Sequence, residues 1–277
     1  MAKDKLLSPF LKWVGGKRQL LEDINLVLPQ KFTNYYEPFI GGGAVLFSLQ
    51  PKKAFINDHN EELINVYKVI RDNLEALISD LKKHKNEPDY FYEIRALDRN
   101  EAYKNLSEVQ RASRIIYLNK TCYNGLYRVN SSGEFNSPFG KYKNPNIVNE
   151  ITLRAVNKYL NNNEVKIYNG DFEKVLVNIK KSDFVYFDPP YDPVSKSANF
   201  TGYSQAGFNT KDQIRLKELC DSLDKKGIKF LLSNSATPFI EDLYKNYKIS
   251  YVKANRHINS NAKKRGAIDE VLIKNYE

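Results

Sequence analysis

Short apolar segments alternate with amphipathic segments along most of this sequence, and this alternation predicts a sheet whose strands are connected by helices. The apolar runs are bounded by polar or turn-forming residues, as buried strands are. They predict strands at residues 35–40, 53–57, 165–168, 184–187, 229–232, 249–254 and 270–274. The last two follow each other closely and indicate a closing hairpin.

Helical periodicity fills much of the sequence between these strands. Residues Leu20–Leu28 predict a helix that Pro29 stops, and Ala44–Leu49 resumes a helical pattern after the glycines that follow the first strand. Glu62–Lys82 predicts a single long amphipathic helix. Strands that alternate with helices in this way are typical of an α/β sheet covered by helices on both faces.

The character of the sequence changes from about Pro88 to Asn161. Two polar helical stretches, Tyr90–Asp98 and Ser107–Leu118, precede a segment that is rich in Asn, Tyr, Gly and Lys. That segment, Tyr123–Asn146, is typical of a twisted hairpin with Ser132-Gly133 at its turn. Because strand patterns stand on either side, the middle region is predicted to be an insertion between two parts of the sheet.

Charge and aromatic content point to the kind of partner. The chain has 277 residues, a formal net charge of +10 and a pI near 9.3. A basic balance favours a polyanionic partner, because neutralising phosphates releases counterions and drives association. The 19 Tyr and 15 Phe add aromatic faces that suit stacking on nucleic-acid bases. A basic surface that serves only solubility stays open as an alternative, and charge alone does not identify an enzyme.

Other classes of protein are disfavoured. No apolar run approaches the roughly 18 residues that cross a bilayer, and Met1–Ser8 is charged, without the apolar stretch of a signal peptide. We therefore expect a cytoplasmic protein without a membrane partner. Cys122 and Cys220 have no metal-type spacing and are predicted to be free thiols in the core. The histidines are far apart in sequence, so no metal site is expected.

A glycine turn and an acidic residue follow the first two predicted strands. Gly41, Gly42 and Gly43 stand where strand gives way to helix, so the backbone there can turn tightly and approach a ligand closely. Asp58 follows the next strand, where its carboxylate can accept hydrogen bonds from the two hydroxyls of a ribose. Together they favour a nucleoside cofactor over a purely structural turn, without saying which cofactor. The dinucleotide-binding and P-loop glycine spacings are both absent, which disfavours those two classes.

The apolar strand Phe184–Phe187 runs directly into Asp188-Pro189-Pro190-Tyr191. Two successive prolines remove two backbone donors and hold the chain extended, so the Pro189 carbonyl and the Asp188 carboxylate can converge as two acceptors. An exocyclic amino group has two protons to donate to such a pair, and Tyr191 offers a face on which its base can stack. The alternative is a strand stopped by prolines, with a surface acid and a core tyrosine. The position at the carboxyl end of a strand, where ligands bind in open α/β sheets, favours a site.

Taken in order, these motifs resemble the Dam-type DNA N6-adenine methyltransferases, including restriction-system methylases of that type, over nearly the whole chain. The segments that carry the resemblance are Pro9–Arg18, Glu37–Ala44, Asn57-Asp58, Tyr123–Arg128, Phe135–Gly140, Gly170–Phe172, Asp188–Tyr191 and Ser233–Ser235. The family implies a Rossmann-like S-adenosylmethionine-dependent methyltransferase sheet with an inserted, mostly helical target-recognition domain that carries a β-hairpin. Residues 1–60 and 162–277 would form the catalytic domain, and residues 61–161 the inserted one.

The resemblance also implies an activity and a set of site residues. The protein would transfer a methyl group from S-adenosyl-L-methionine to N6 of adenine in duplex DNA, within GATC sites, after flipping the base, and without a metal. Asp188, Pro189 and Tyr191 would be catalytic. The cofactor would be held by Trp13, Lys17, Phe39, Gly41, Asp58, Phe172 and Asp188, and the DNA by Lys12, Tyr123, Asn124, Leu126 and Arg128. A cognate restriction endonuclease would act in the same system without being a physical partner.

Residue chemistry alone leaves several of these assignments open. By type, Trp13 would be a core aromatic and Lys17 a solvated charge. A guanidinium at Arg128 suits guanine O6 and N7 in the major groove, with a phosphate contact as its alternative. Two loops, Asp192–Phe208 and Arg256–Arg265, are expected to move, the first over a flipped base and the second onto phosphates. An N4-cytosine or RNA amino methyltransferase and a non-catalytic DNA-binding relative remain as alternative functions.

Overall fold

A computed structural model describes residues 3–13, 15–193, 207–255 and 267–277. The strands in this part of the chain are β1 (Tyr35–Glu37), β2 (Lys53–Asp58), β3 (Glu164–Asn169), β4 (Phe184–Phe187), β5 (Lys229–Ser235), β6 (Lys248–Asn255) and β7 (Ala267–Lys274). They form one sheet in the order β3-β2-β1-β4-β5-β7-β6. Strand β7 runs antiparallel to β5 and β6, and the other neighbours are parallel. The predicted closing hairpin is confirmed as the β6–β7 pair.

The strand order reverses between the two central strands, β1 and β4. Every residue of both strands is buried, as strands covered on both faces are. Tyr35 pairs with Phe184 and Tyr36 with Val185 across the reversal. Ligands of open α/β sheets bind beyond the carboxyl ends of the strands at such a reversal. This topology confirms the predicted Rossmann-like α/β fold and points to the edge where a site is expected.

Helices cover both faces of the sheet. They are α1 (Leu21–Val27), α2 (Ala44–Leu49), α3 (Glu61–Asp72), α4 (Leu74–Leu81), α5 (Pro88–Ala96), α6 (Glu108–Thr121), α7 (Glu150–Asn162), α8 (Thr210–Lys225) and α9 (Pro238–Leu243). Alternate residues of β4 enter two apolar clusters. Phe184 and Tyr186 pack in a cluster with side chains of α2, α3, α6 and α7, whereas Val185 and Phe187 pack with α8 and α9. The period of two along the strand therefore divides the core into two layers.

The single helix predicted over Glu62–Lys82 is wrong, because the structure has two helices there, α3 and α4. Asn73 lies between them with φ −135° and ψ 38°, outside the helical region. Its amide still donates to the carbonyl of Val69 at 2.8 Å. Asparagine competes with the backbone for hydrogen bonds and so favours helix ends. The apolar periodicity hid this break, because residues such as Ile70 and Leu74 are buried on both sides of it.

The helices between β2 and β3 carry the middle region and also cover the sheet. Helix α3 packs against β2 and β3, α7 packs against α3 and β3, and α6 lies on α3 and α4. Asn60 caps the start of helix α3, because its side chain accepts a hydrogen bond from the amide of Leu63 at 2.9 Å, as N-cap residues do. The last residues of β2 are therefore followed at once by a well-defined helix start.

The hairpin predicted over Tyr123–Asn146 is present with little regular strand. Two isolated antiparallel bridges, Val129–Phe135 and Cys122–Phe139, hold its arms together. At the tip, the side chain of Asn130 accepts a hydrogen bond from the amide of Ser132 at 3.0 Å, as turn asparagines do. Side-chain and loop hydrogen bonds therefore take the place of a longer ladder.

Three further expectations concern the cysteines, membrane-spanning helices and the two loops. Cys122 and Cys220 are buried free thiols, as predicted. None of the described helices is long and apolar enough to cross a membrane. Of the two loops expected to move, residues 194–206 of the first and all of Arg256–Arg265 lie outside the described residues.

Candidate active site and DNA-facing surface

The glycine turn and Asp58 meet at the carboxyl ends of β1 and β2. The amide of Gly41 donates to Oδ2 of Asp58 at 3.0 Å, and the amide of Asn60 donates to Oδ1 at 3.0 Å. Tyr67 of α3 also holds the turn, because its hydroxyl donates to the carbonyl of Gly41 at 3.0 Å. Burial raises the pKa of Asp58, and the two backbone amides oppose that rise. The carboxylate is held in one orientation and is partly exposed at the edge of the sheet.

Trp13 lies against the glycine turn at a distance that leaves no room for a side chain there. Gly41 has φ +47°, and a Cβ on it would lie 2.9 Å from Cδ1 of Trp13. The other side of the packing is formed by Tyr127, whose ring stacks on the indole with centroids 4.8 Å apart and an interplanar angle of 24°. The indole is only partly buried. It packs against the main apolar cluster and joins the glycine turn to the hairpin region.

Three phenylalanines form an aromatic cluster next to Asp58. Phe39, which follows β1, stacks on Phe172 with ring centroids 5.3 Å apart. Phe208 packs edge-on against Phe39 at 5.6 Å, and the guanidinium of Arg215 lies 4.4 Å from the Phe172 ring centroid. Phe172 is buried, whereas Phe39 and Phe208 are partly exposed. Exposed ring surface just after β1, the neighbour of the strand that ends at Asp58, suits a nucleoside with a flat base and a polar sugar.

Asp188 directly follows β4 and is held by Lys17 and Ser233. The Nζ of Lys17 lies 2.7 Å from Oδ1 of Asp188, and the hydroxyl of Ser233 donates to the same oxygen at 3.0 Å. None of the described donors bonds Oδ2, and the side chain is 20% exposed. Burial raises the pKa of Asp188, while Lys17 and Ser233 act in the opposite direction. One oxygen is thus fixed and the other stays available as an acceptor.

Lys17 is buried, so its interpretation as a solvated charge is wrong. Its side chain is 5% exposed, because it lies between three groups of the site. Besides pairing with Asp188, its Nζ donates to the carbonyl of Gly15 at 2.5 Å and lies 4.5 Å from the ring centroid of Tyr191. A buried ammonium needs such partners to offset the loss of water.

The loop after Asp188 is anchored from the side of α8 and β5. Gln213 donates to the carbonyl of Pro190 at 2.9 Å and accepts from Asn234 at 3.1 Å. Asn234 in turn accepts from the amide of Asp192 at 3.0 Å, and Thr237 donates to the Asp192 carboxylate at 2.7 Å. None of the described residues donates to the carbonyl of Pro189. This network therefore leaves the predicted pair of acceptors, Asp188 Oδ2 and Pro189 O, without a hydrogen-bond donor among the described residues.

Two further carboxylates lie next to the loop. The hydroxyl of Tyr191 donates to Oε2 of Glu270 on β7 at 2.7 Å, and Glu270 is 8% exposed. Glu37, at the end of β1, accepts from the hydroxyl of Tyr35 at 2.7 Å and is 2% exposed. Burial raises the pKa of Glu37 well above its usual range, and Asp188 adds to that rise.

The five residues predicted to contact DNA lie on two adjoining segments. Asn119, near the end of α6, exchanges hydrogen bonds with the amide and carbonyl of Lys12, both at 2.9 Å, and also donates to the carbonyl of Gly125 at 3.0 Å. Lys12 therefore lies beside the turn that carries the other four. Lys12, Tyr123 and Arg128 are exposed, and Asn124 and Leu126 are partly exposed.

Arg128 is already oriented by its own hairpin. Its Nε donates to Oδ1 of Asn136 at 2.6 Å, and a terminal guanidinium nitrogen donates to the Asn136 carbonyl at 3.3 Å. The residue is nevertheless exposed, so the rest of the guanidinium faces outward. A fixed planar fork is the geometry that bidentate recognition of a base edge needs.

A family model described as D12 class N6 adenine-specific DNA methyltransferase matches residues 13–258. That match includes the glycine turn, Asp58, the Tyr123–Arg128 turn and the Asp188–Tyr191 loop. The chain belongs to the D12 class of N6 adenine-specific DNA methyltransferases. It is therefore a site-specific methyltransferase that acts on adenine in double-stranded DNA.

Curated relatives agree with that assignment over nearly their full lengths. A type II methyltransferase of Lactococcus lactis subsp. cremoris is 47% identical, covering 100% of this chain and 98% of the relative. A type II methyltransferase of Methanocaldococcus jannaschii is 45% identical over 98% of this chain and 99% of its own. The DNA adenine methylase of Escherichia coli K12 is 33% identical over 95% and 93%. The resemblance to Dam-type enzymes is confirmed, and the N4-cytosine, RNA and non-catalytic alternatives are not favoured.

The roles of individual residues in this methyltransferase stay predictions, and the structure shows only where they lie. Gly41 is hydrogen-bonded to Asp58 and packs on Trp13, Lys17 pairs with Asp188, and Phe39 stacks on Phe172. Within the described residues, no group of three or more His, Cys, Asp or Glu side chains could hold a metal ion.

Several residues of the site were missed by the sequence analysis. Gln213 and Phe208 follow a loop whose fold the pattern does not define, and Asn119 is an ordinary polar residue near a helix end. Glu37 and Glu270 gave a usable signal, because each is an acidic residue within or beside an apolar strand pattern. A carboxylate in such a position is rarely buried without a partner.

Proposed function

We propose that this methyltransferase uses S-adenosyl-L-methionine to methylate N6 of adenine within GATC sites of duplex DNA, after extruding the base. The observation that carries the proposal is the pair of acceptors without a described donor, Asp188 Oδ2 and Pro189 O, at the same edge of the sheet as Asp58 and Phe39. The cell's duplex DNA is the substrate, which makes the cytoplasm the site of action.

The donor set of the site fits S-adenosylmethionine. Asp58 would accept the ribose hydroxyls, since its two oxygens are oriented by backbone amides. Phe39 and Phe172 would contact the adenine of the cofactor. Lys17 and Asp188, which are paired with each other at 2.7 Å, would border the charged methionine part. When bound, the cofactor would supply an electrophilic methyl group.

Extrusion of the target base is required because N6 lies within the duplex, out of reach of a site at the end of a sheet. Unpairing and unstacking cost a few kcal/mol. Stacking on an aromatic ring returns about 1–3 kcal/mol per base. Tyr191 lies beside Asp188, with its hydroxyl and one ring face already fixed by neighbours, so its ring is the surface on which the extruded adenine would stack.

Asp188 and Pro189 would act on the two amino protons of that base. Accepting both protons weakens the delocalisation of the N6 lone pair into the ring and stabilises the positive charge that develops on nitrogen during transfer. Acceptors that are oriented in advance stabilise a transition state without reorganisation, and only interactions that strengthen there raise the rate. After transfer, N6 carries one proton too many, and the Asp188 carboxylate or water takes it.

DNA recognition is proposed for the inserted region. Residues 61–161 would form the target-recognition domain within a catalytic domain of residues 1–60 and 162–277. Tyr123, Asn124 and Leu126 would enter or border the duplex, Arg128 would read a guanine, and Lys12 would approach the DNA beside the cofactor segment. GATC as the target rests on the resemblance of this region to Dam-type enzymes. The type II methyltransferases among the relatives support a role beside a cognate restriction endonuclease.

Replacing Asp188 with alanine tests the proposed chemistry. We expect Asp188→Ala to lower transfer of tritiated methyl groups to duplex DNA by at least about 100-fold, while duplex binding is retained. Asp221→Ala is a matched control, because it removes another 2.7 Å lysine–aspartate pair, on α8. Full activity of Asp188→Ala contradicts the mechanism. Sequencing that detects modified bases tests the target, and methylation confined to sites other than GATC contradicts that part.

A further inference from the structure

Tyr191 is held by a residue of β7, which is separated in the sheet from β4 by β5 alone. Its hydroxyl donates to Glu270 Oε2 at 2.7 Å, an ordinary length for an O–H···O hydrogen bond. Glu270 pairs with Ser235 of β5 and Val252 of β6 in the sheet, and it is only 8% exposed. The acceptor is therefore carried by the sheet itself and not by a surface loop.

The Tyr191 ring is constrained at two points and has no aromatic neighbour among the described residues. Lys17 Nζ lies over it, 4.5 Å from the centroid, and the hydroxyl is fixed by Glu270. By contrast, Trp13 and Phe39 already stack on other aromatic side chains. A ring that is fixed at its rim, without an aromatic partner of its own, is a preformed stacking surface.

We propose that Glu270 is a positioning residue for methyl transfer, which sets the plane of the Tyr191 ring on which the extruded adenine stacks. This inference rests on the base extrusion proposed above. Without the carboxylate, the phenol hydroxyl would lose its partner and the ring would be free to tilt or swing, so the amino group would meet Asp188 and Pro189 less often. Positioning losses of this kind lower the rate of the chemical step more than they lower binding.

The test compares Glu270→Ala, Glu270→Gln, Tyr191→Phe and the double variant Tyr191→Phe/Glu270→Ala. We expect Glu270→Ala to lower the single-turnover rate of adenine methylation about 10-fold, with unchanged Kd for duplex DNA and for S-adenosylmethionine. Glu270→Gln retains an acceptor oxygen and should restore most of the rate. Because Tyr191→Phe has already removed the hydroxyl, adding Glu270→Ala to it should cause no further loss.

Glu241→Ala provides a matched control for removing a tyrosine–glutamate pair. Tyr251 is 61% exposed and donates to Glu241 at 3.0 Å, away from the Asp188 loop, so the control should leave the rate unchanged. A wild-type rate in Glu270→Ala overturns the inference. So does a double variant in which Glu270→Ala lowers the rate of Tyr191→Phe as much as it lowers the wild-type rate. If Glu270→Ala fails to fold, Tyr191→Phe decides alone, because a wild-type rate in that variant leaves the hydrogen bond without a role.

A duplex with 2-aminopurine at the target position separates this inference from the proposed function. Its fluorescence rises when the base leaves the stack of the duplex, and stacking on a tyrosine ring quenches part of that rise. We expect a rise with the wild-type protein and a larger one with Glu270→Ala. No rise with the wild-type protein contradicts base extrusion itself. A normal rise that Glu270→Ala leaves unchanged contradicts only the role of Glu270.

Discussion

Replacing Gly41 with alanine adds a methyl group where the structure has no room for one. Its φ of +47° lies in the left-handed region, which costs an L-residue about 1–2 kcal/mol. The added Cβ would lie 2.9 Å from Cδ1 of Trp13, whereas two carbon atoms make favourable contact at about 3.5 Å or more. Either the indole moves by about half an ångström or the turn opens.

Both movements break contacts on which the site depends. A shift of Trp13 weakens its stacking on Tyr127, an interaction worth about 0.5–1.5 kcal/mol at the observed 4.8 Å. Opening of the turn removes the hydrogen bond from the Gly41 amide to Asp58, which is worth about 1.5–3 kcal/mol as a bond to a charged group. Together with the backbone cost, the expected decrease in the free energy of unfolding is about 2–4 kcal/mol.

Urea unfolding measures that decrease, and calorimetric titration with S-adenosylmethionine measures the effect on the site. Gly227→Ala is the matched control, because φ is +68° there and the Cβ would meet only the flexible end of Lys181 at 3.0 Å. We expect Gly227→Ala to lose about 1–2 kcal/mol with wild-type affinity. Gly41→Ala should lose more, and its Kd should rise at least about 10-fold. Equal losses of stability, with an unchanged Kd in Gly41→Ala, would refute the reasoning.

Three further predictions follow from other contacts. Arg128→Ala should relax discrimination at one outer base pair by about 1–3 kcal/mol across a panel of single-base variants, and an unchanged preference removes this arginine from recognition. Asn119→Ala removes three hydrogen bonds of a buried side chain, two of them to Lys12, and should lower the free energy of unfolding by about 2–4 kcal/mol. The exposed Asn161→Ala should lose much less, and equal urea midpoints contradict this. Folded Glu37 keeps its proton to higher pH than the unfolded chain, so stability present below about pH 4 is lost as pH rises through the folded-state pKa. Glu37→Gln should flatten that fall in urea titrations at successive pH values, and parallel curves contradict it.

The ends of the central strands could be predicted from sequence because each is a short apolar run that stops at a turn or an acid. Gly41, Asp58 and Asp188 follow such runs, and carboxyl ends of parallel strands meet at one edge. Gly41 and Asp58 are hydrogen-bonded, and Asp188 follows β4, the other neighbour of β1 in the sheet. The chemistry of this edge is therefore largely a consequence of local pattern combined with the rule for parallel sheets.

Contacts between distant strands could not be predicted in the same way. Glu270 reaches Tyr191 only because β7 inserts between β5 and β6, and no local pattern encodes that order. Lys17 illustrates the same limit. A lysine after two glycines is predicted to be a solvated charge, whereas in the structure Asp188 and Tyr191 lie next to its ammonium group. Residue type gave the wrong environment for Lys17 because burial of a charge depends on partners that are remote in sequence.

The anchoring of the Asp188–Asp192 loop also explains why two prolines suit this position. Gln213 donates to the carbonyl of Pro190, and Asn234 accepts from the amide of Asp192. These two backbone groups of the loop therefore have the partners that buried polar groups require. An amide at position 189 or 190 would add a donor beside the amino group of the base, which is itself a donor. Proline removes that donor and leaves the Pro189 carbonyl as an acceptor. The same residues that stop β4 therefore leave the Pro189 carbonyl without an amide donor at position 189 or 190.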